Sequence, residues 1–356
     1  MNKSSKTLMG LNSNGNWSPN RFKTSTFQLQ DRNCIVAPLS PRSGTTNCIS
    51  TESTRTWFYL NTCHMLWEKA KEVKEEQKTL KLFTLKGRAM RHGGGDMWQS
   101  VNLDHPATFD TLAMDLNVKQ AIMGDLDLFV QRKDFYRKVG KAWKRGYLLF
   151  GPPGTGKSSL IAAMANYLNF DIYDLELTDL RRNSELRKLL VSTANRSILV
   201  VEDIDCSLEL QDRLSKNKGP TPNPDQFEYQ RPQVTLSGLL NFIDGLWSSC
   251  GDERIIVFTT NHRDRLDPAL LRPGRMDVHI HMSYCTPCGF KTLAFNYLGI
   301  TEHPLFVKIE ESIERKNITP AEVGEQMLKN EDPETALTGL IELLREKGET
   351  SEYEKQ

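Results

Sequence analysis

The chain has almost no net charge: 46 basic residues stand against 45 acidic ones, leaving +1 over 356 residues. Binding to a polyanion normally draws on a surplus of Lys and Arg, so the composition argues against a nucleic-acid partner. No apolar run approaches the roughly 18 to 20 residues that a membrane-spanning helix needs. No membrane span is therefore expected, and the chain as given should stay soluble. Cysteines number seven, an odd count, with no signal peptide ahead of them. That disfavours a disulfide framework and points to reduced thiols in a cytosol-facing compartment or an organelle matrix. Residues 1–65 are poor in acids, with only Asp31 and Glu52 against seven Lys or Arg and 26 Ser, Thr or Asn. They show neither a helical nor a strand period, so a disordered leader is expected. A mitochondrial transit peptide shares this composition but needs an amphipathic apolar stripe, which is lacking.

At 356 residues the chain has room for two or three domains and a sizeable core. Order should begin near Leu66, where Glu68, Lys69, Glu72, Lys74, Glu75 and Lys78 lace a solvated helix before an apolar strand at Leu80–Leu85. Arg91–Gly95 reads as a turn, and residues 66–104 as the remnant of a preceding domain. Over 105–285 strand-like runs alternate with helical patterns: Tyr147–Phe150, Phe170–Leu177, Ile198–Val201 and Ile255–Phe258. Such alternation predicts an α/β domain, a parallel sheet with helices on both faces. Its one interruption, the proline-rich stretch within 211–233, is expected to be a disordered insertion. Residues 286–347 read as a small all-helical domain and 348–356 as a tail.

The run Gly151, Pro152, Pro153, Gly154, Thr155, Gly156, Lys157 and Ser158 fits G-x-x-x-x-G-K-[ST] between a strand and a helix that opens at Ser159. Backbone amides of such a loop wrap phosphates, and the helix N-terminus adds positive potential. Lys157 should reach the β- and γ-phosphates of a nucleotide, and Ser158 should ligate Mg²⁺. The apolar run Ser197–Val201 then ends in Glu202, Asp203 and Asp205, three acids within four positions. In a P-loop enzyme a second buried strand beside the loop strand presents one acid to the metal and the next to the attacking water. By position Glu202 takes the metal role and Asp203 the water role; a twist at the strand end would reverse them, so both stand as candidate metal ligands. Asn261 ends another buried strand, Ile255–Thr260, where its amide can hold water and γ-phosphate. Arg272 and Arg275 flank a Pro-Gly turn, as a surface ion-pair cluster would, or as arginine fingers that reach a neighbouring subunit's nucleotide.

GPPGTGKSS, ILVVEDID, TTN and LDPALLRPGRMD in this order resemble an AAA ATPase with its second region of homology. His105–Asp115, Val139–Tyr147, Leu236–Trp247 and His281–Cys285, with the inverted Glu-Asp pair, resemble the plant branch of the family whose namesake translocates the mitochondrial Rieske protein. The likeness spans about residues 66–347. It implies ATP and Mg²⁺ as cofactors, a homo-oligomeric ring open to mixing with paralogues, and ATP hydrolysis coupled to remodelling or translocation of a protein client. It further implies that Phe109, Asp110, Thr111 and the residues up to Ala113 lie near the adenine. Members are normally anchored in a mitochondrial or endoplasmic reticulum membrane through an N-terminal helix. Residues 1–65 hold neither that helix nor the domain after it. A one-base shift in a back-translation of Ser53–Trp57 yields a Lys/His/Asp-rich helix like the family's, so a shifted or truncated gene model is expected. The alternative reading is a nucleotide-gated scaffold, or a regulatory subunit with weak turnover.

Other residues invite two readings. Cys285 and Cys288 with His279 and His281 have a spacing that suits zinc, yet two histidines two apart on a strand and cysteines at a domain junction read better as packing. Trp143 among Lys141, Lys144 and Arg145 reads better as packing than as a base-stacking platform. After the strand at Phe170–Leu177 the chain runs Thr178–Ser184 without the aromatic and glycine of peptide-threading rings, which predicts a client moved without threading.

Overall fold

The computed structural model describes residues 79–86, 97–180, 183–205 and 253–347 in full, helical backbone to Tyr353, and Lys69, Gly238, Ile243 and four short strands singly. The insertion at 211–233, the turn at 91–95 and almost all of the charged helix at 68–78 lie outside the described residues. The chain divides into two units, 1–78 and 79–356.

In the first unit β1 (Leu8–Leu11) pairs antiparallel with β2 (Trp17–Asn20), and β3 (Phe27–Leu29) with β4 (Arg32–Cys34). No regular structure was expected here. Hairpins this short pair locally and carry no alternation long enough to read from sequence.

The second unit is built on one seven-stranded sheet. Its strands are β5 (Lys81–Leu85), β6 (Trp98–Asn102), β7 (Lys144–Phe150), β8 (Asp171–Asp174), β9 (Ser197–Val201), β10 (Arg254–Thr260) and β11 (Val278–His281), in the order β11-β7-β10-β9-β8-β5-β6. All neighbours are parallel except β5 and β6. Every residue of β9 and β10 is buried. Continuous β-branched and aromatic runs of this kind suit strands covered on both faces. Side chains alternate between the faces: Leu148, Leu199, Val201, Ile256 and Phe258 enter one core, and Tyr147, Leu149, Ile198, Val200, Ile255 and Val257 the other. The second core is closed by Leu126 and Phe129 of α1 (Leu116–Gln131) and by Leu160 and Met164 of α3 (Lys157–Leu168). The six-residue α2 (Lys133–Lys138) buries no side chain. The first core takes Leu186, Leu189 and Leu190 from α4 (Asn183–Val191).

Two expectations need correction. The acid-tipped strand β9 does not lie beside the loop strand β7, because β10 is hydrogen-bonded to both and separates them. In addition, β5 and β6, read from sequence as part of a preceding remnant, extend the same sheet beyond β8. Trp98 fixes that edge: its indole N–H reaches Leu189 O at 3.2 Å and Ser192 Oγ at 3.0 Å, and its ring meets Tyr173 edge-on.

Four helices follow: α5 (Pro287–Leu298), α6 (Phe306–Arg315), α7 (Pro320–Leu328) and α8 (Pro333–Tyr353). Their ends follow from sequence. Thr286 and Thr319 cap α5 and α7 with Pro at the first helical position, and Thr319 forms a reciprocal capping box with Glu322. Phe290, Ile309, Ile313, Val323, Leu337 and Leu340 make their shared core. α8 continues past the expected end at 347, since a helix already nucleated extends at little cost.

Candidate functional site

The site forms where three adjacent strands, β7, β10 and β9, end at the same edge of the sheet. Gly156, at φ 90°, turns the loop after β7 into α3 and stands at the helix N-cap, where no side chain caps the first turn. A left-handed residue of this kind is easily met by glycine alone, and it leaves the first-turn amides aimed at the space above the sheet.

Lys157 Nζ lies 2.8 Å from Gly151 O, 2.9 Å from Pro152 O and 2.8 Å from Asn261 Oδ1. Burial lowers its pKa, while Asp203, Asp205 and Glu202 oppose the drop. Ser158 Oγ donates to Glu202 Oε1 at 3.3 Å, and Asn261 Nδ2 donates to Asp203 Oδ1 at 3.3 Å. Lys157, Asn261 and Asp203 thus form one hydrogen-bonded chain, and their sequence neighbours Ser158 and Glu202 a second pair. The two acids diverge, Glu202 toward the loop serine and Asp203 toward the β10 asparagine. Thr155 Oγ1 donates to Pro152 O at 2.9 Å, a bond that braces the loop.

Three further groups make contacts that the sequence does not display. Thr259 Oγ1 accepts the Asp203 backbone N–H at 3.0 Å. Thr260 Oγ1 donates to Asp205 Oδ1 at 2.8 Å, both residues being buried. Asp174, at the end of β8, has its carboxyl pushed up to about 6, by burial first and then by the charges of Glu202 and Glu176. Polar residues at the ends of buried strands were the available signal.

Beside the loop is a cleft bordered by Ala113, Met114, Thr155, Met282, Tyr284 and Thr286. Phe109, Asp110 and Thr111 do not line it. Phe109 is buried edge-on against Tyr167, Asp110 is exposed, and the Thr111 carbonyl accepts from Asn296 Nδ2 at 2.9 Å. The residues just after them border the cleft instead. The helical domain closes on the loop as well, with Ala321 N–H donating to Gly154 O at 3.1 Å.

The arginine turn sits against the loop strand from the other side. Asp277 accepts from Gly146 N at 3.0 Å and Gly274 N at 2.8 Å, and its own N–H donates to Gly146 O at 2.8 Å. Arg272 is exposed, whereas Arg275 is half-buried and donates to the Ala269 carbonyl.

Of the remaining candidates Cys285 is buried, whereas Cys288, His279 and His281 are exposed. Cys285 is buried in the helical core, where burial and then Asp115 push its thiol up to about 12. His281 stacks on Phe150 and His279 contacts Arg263. Among the described residues no cluster of three or more metal-ligating side chains is present. Trp143 donates to Phe129 O at 2.9 Å and lies against the Phe129 ring.

The residues suit a nucleotide with Mg²⁺. The hydroxyl of Ser158 and the carboxylate of Glu202 are hard oxygen donors of the kind Mg²⁺ accepts while keeping several waters. Lys157 places its ammonium group at the foot of the loop, next to the uncapped helix end.

Residues 147–284 match the family described as ATPase family associated with various cellular activities (AAA), and residues 285–356 match the At3g28540-like AAA+ ATPase lid domain. Among Arabidopsis thaliana proteins, the chain is 65% identical over 288 residues to Protein HYPER-SENSITIVITY-RELATED 4, covering 81% of this chain and 50% of that protein. It is 62% identical over 280 residues to AAA-ATPase At3g50940, covering 79% and 59%. AAA-ATPase At5g17760 is 58% identical over 280 residues, covering 78% and 53%. The chain therefore spans little more than half the length of these relatives.

Proposed function

Because residues 147–356 belong to the AAA ATPase family, core and lid together, we propose that the protein hydrolyses ATP with Mg²⁺ in a ring of subunits and uses the cycle to remodel or translocate a protein client. The observation that carries the hydrolytic part is the pairing of Lys157 and Asp203 through Asn261, with Ser158 on Glu202 next to them in sequence.

In this reading the loop amides and the first turn of α3 receive the phosphates. Lys157 turns from the carbonyls of Gly151 and Pro152 to the β- and γ-phosphates, exchanging neutral acceptors for anionic ones. Ser158 and Glu202 hold the metal, which when bound offsets phosphate charge. Asp203 accepts the proton of the attacking water and Asn261 orients it, since the two already share a hydrogen bond. The cleft at Ala113 and Met114 takes the base between core and lid.

Ring assembly is supported by Arg272, which stands exposed at the start of the turn that Arg275 braces. Client movement without threading, in the manner of the Rieske-protein translocase branch, is supported by the segment after β8. There the apolar Leu177 and Leu180 are buried, 4% and 2% exposed, rather than projecting. Among the described residues no helix is long and apolar enough to cross a membrane. Membrane attachment would therefore need another segment or a partner.

Steady-state ATPase measured against protein concentration tests the proposal. Specific activity that rises as rings assemble, and that is lost in Lys157→Ala, is expected. Tight nucleotide binding with no turnover at any concentration would favour a nucleotide-gated scaffold instead.

A further inference from the structure

Asp203 is one of four non-glycine residues with positive φ among the described residues, at 44°. Left-handed backbone is unfavourable for a non-glycine residue, and an aspartate keeps it where local hydrogen bonds hold it. Here the holding group is visible. The β9–β10 ladder ends at Val201 opposite Phe258. Just past it, Asp203 N–H finds the Thr259 hydroxyl at 3.0 Å as acceptor. Thr259 belongs to the fully buried strand β10 and is itself only 3% exposed. On the far side of the same bend, Thr260 anchors Asp205 at 2.8 Å. The bend is thus tied at two points to consecutive residues of one rigid strand. Immediately after them the same strand delivers Asn261, which meets the Asp203 carboxylate.

We propose that Thr259 is a positioning residue for hydrolysis: its hydroxyl fixes the left-handed backbone of Asp203 and so keeps the Asp203 carboxylate on Asn261 while Glu202 faces Ser158. Without that acceptor Asp203 can relax to an extended conformation, and the acid pair loses its divergent arrangement. The inference rests on the proposed role of Asp203 in turnover. It adds that the inverted acid order works only because a neighbouring strand supplies a side-chain acceptor to the peptide between the two acids.

The test compares Thr259→Val, which keeps shape but removes the hydroxyl, with Thr259→Ser, which restores it. Full-length proteins are assayed for thermal midpoint, affinity for a fluorescent ADP analogue with Mg²⁺, and kcat against KM for ATP. Thr259→Val should bind nucleotide within about threefold of the parent and lose kcat on the order of 10- to 100-fold, as a displaced catalytic group does. Thr259→Ser should recover most of that loss. Should Thr259→Val fold poorly, the smaller Thr259→Ala serves the same comparison. On an Asp203→Asn background, Thr259→Val should cause no further loss of kcat. Parental kcat in Thr259→Val, failure of the serine to rescue, or an equal further loss on the Asp203→Asn background would each overturn the proposal. Parental turnover in Asp203→Asn alone would instead remove the assignment on which it rests.

Discussion

The guanidinium of Arg275 donates to the carbonyl of Ala269 within its own turn, a bond that separates its role from that of Arg272. Arg275 braces the turn; Arg272, exposed three residues earlier, is the one that would act on another subunit if the proposed ring forms. Arg272→Ala should therefore bind nucleotide within a few-fold of the parent and lose about 10³-fold or more in turnover. Mixed with Lys157→Ala it should regain part of the activity, because each chain supplies what the other lacks. Arg275→Ala should lower the thermal midpoint as well. Mixing assays and thermal melts distinguish the two, and an inactive mixture despite co-assembly would return Arg272 to a surface role.

The divergence of the two acids makes a separate prediction. Glu202, within 3.3 Å of Ser158, should matter for Mg²⁺, and Asp203, within 3.3 Å of Asn261, for the attacking water. Glu202→Gln should weaken Mg²⁺-dependent nucleotide binding by about tenfold, the loss of one charge-assisted contact. Asp203→Asn should bind normally and turn over at least about 100-fold more slowly. The opposite pattern in binding and single-turnover assays would exchange the roles.

Asp174 has a pH signature. Its folded pKa, pushed up to about 6 from an ordinary 3.8, means that the folded state holds this proton more tightly than the unfolded chain. Asp174 therefore costs nothing below pH 4, progressively destabilises the fold as pH rises toward 6, and exacts its full penalty above that. Measured without nucleotide and with a chelator, Asp174→Asn should be more stable than the parent at pH 7.5 by roughly 1 to 2 kcal/mol after allowing for solvent screening. The advantage should vanish near pH 4. Equal melting differences at both pH values would show that desolvation of this carboxyl is not the cause.

Gly146 offers a packing test. A Cβ there would stand 1.8 Å from the Arg275 carbonyl oxygen, a contact with backbone that cannot swing aside. Gly146→Ala should separate β7 from the arginine turn, cost at least about 2 kcal/mol and lower the thermal midpoint by several degrees. An unchanged midpoint would mean that the turn moves freely from the strand.

How far the sequence revealed this arrangement depends on how local each feature is. Lys157 and Ser158 belong to a motif whose spacing is its geometry, and the apolar runs of β7, β9 and β10 are long enough to be read as buried strands. The order of those strands is another matter. Residues buried on both faces alternate in nothing a sequence displays, so the insertion of β10 between β7 and β9 is legible only in space. The cleft suffered similarly: Asp115 and Thr286, joined at 2.7 Å, are 171 positions apart, and the sequence reading stopped at residues 109–113. Thr259 and Thr260 were visible as part of a motif, but a hydroxyl facing a neighbouring strand's peptide cannot be told in advance from one that caps its own chain.

Sheet order also governs when the site can exist during synthesis. β7 is bonded only to β10 and β11, and both are made later than the loop it carries. A nascent chain that has just released Gly151–Ser158 into solution therefore has no ladder for that strand until residues 254–260 emerge, roughly a hundred residues on, some 5 to 20 s at ordinary elongation rates. For that interval the backbone of Tyr147, Leu148 and Leu149 is an unpaired strand edge. A ribosome stalled before residue 254 should hold a chain that carries the complete loop motif, retains no nucleotide and depends on chaperone cover.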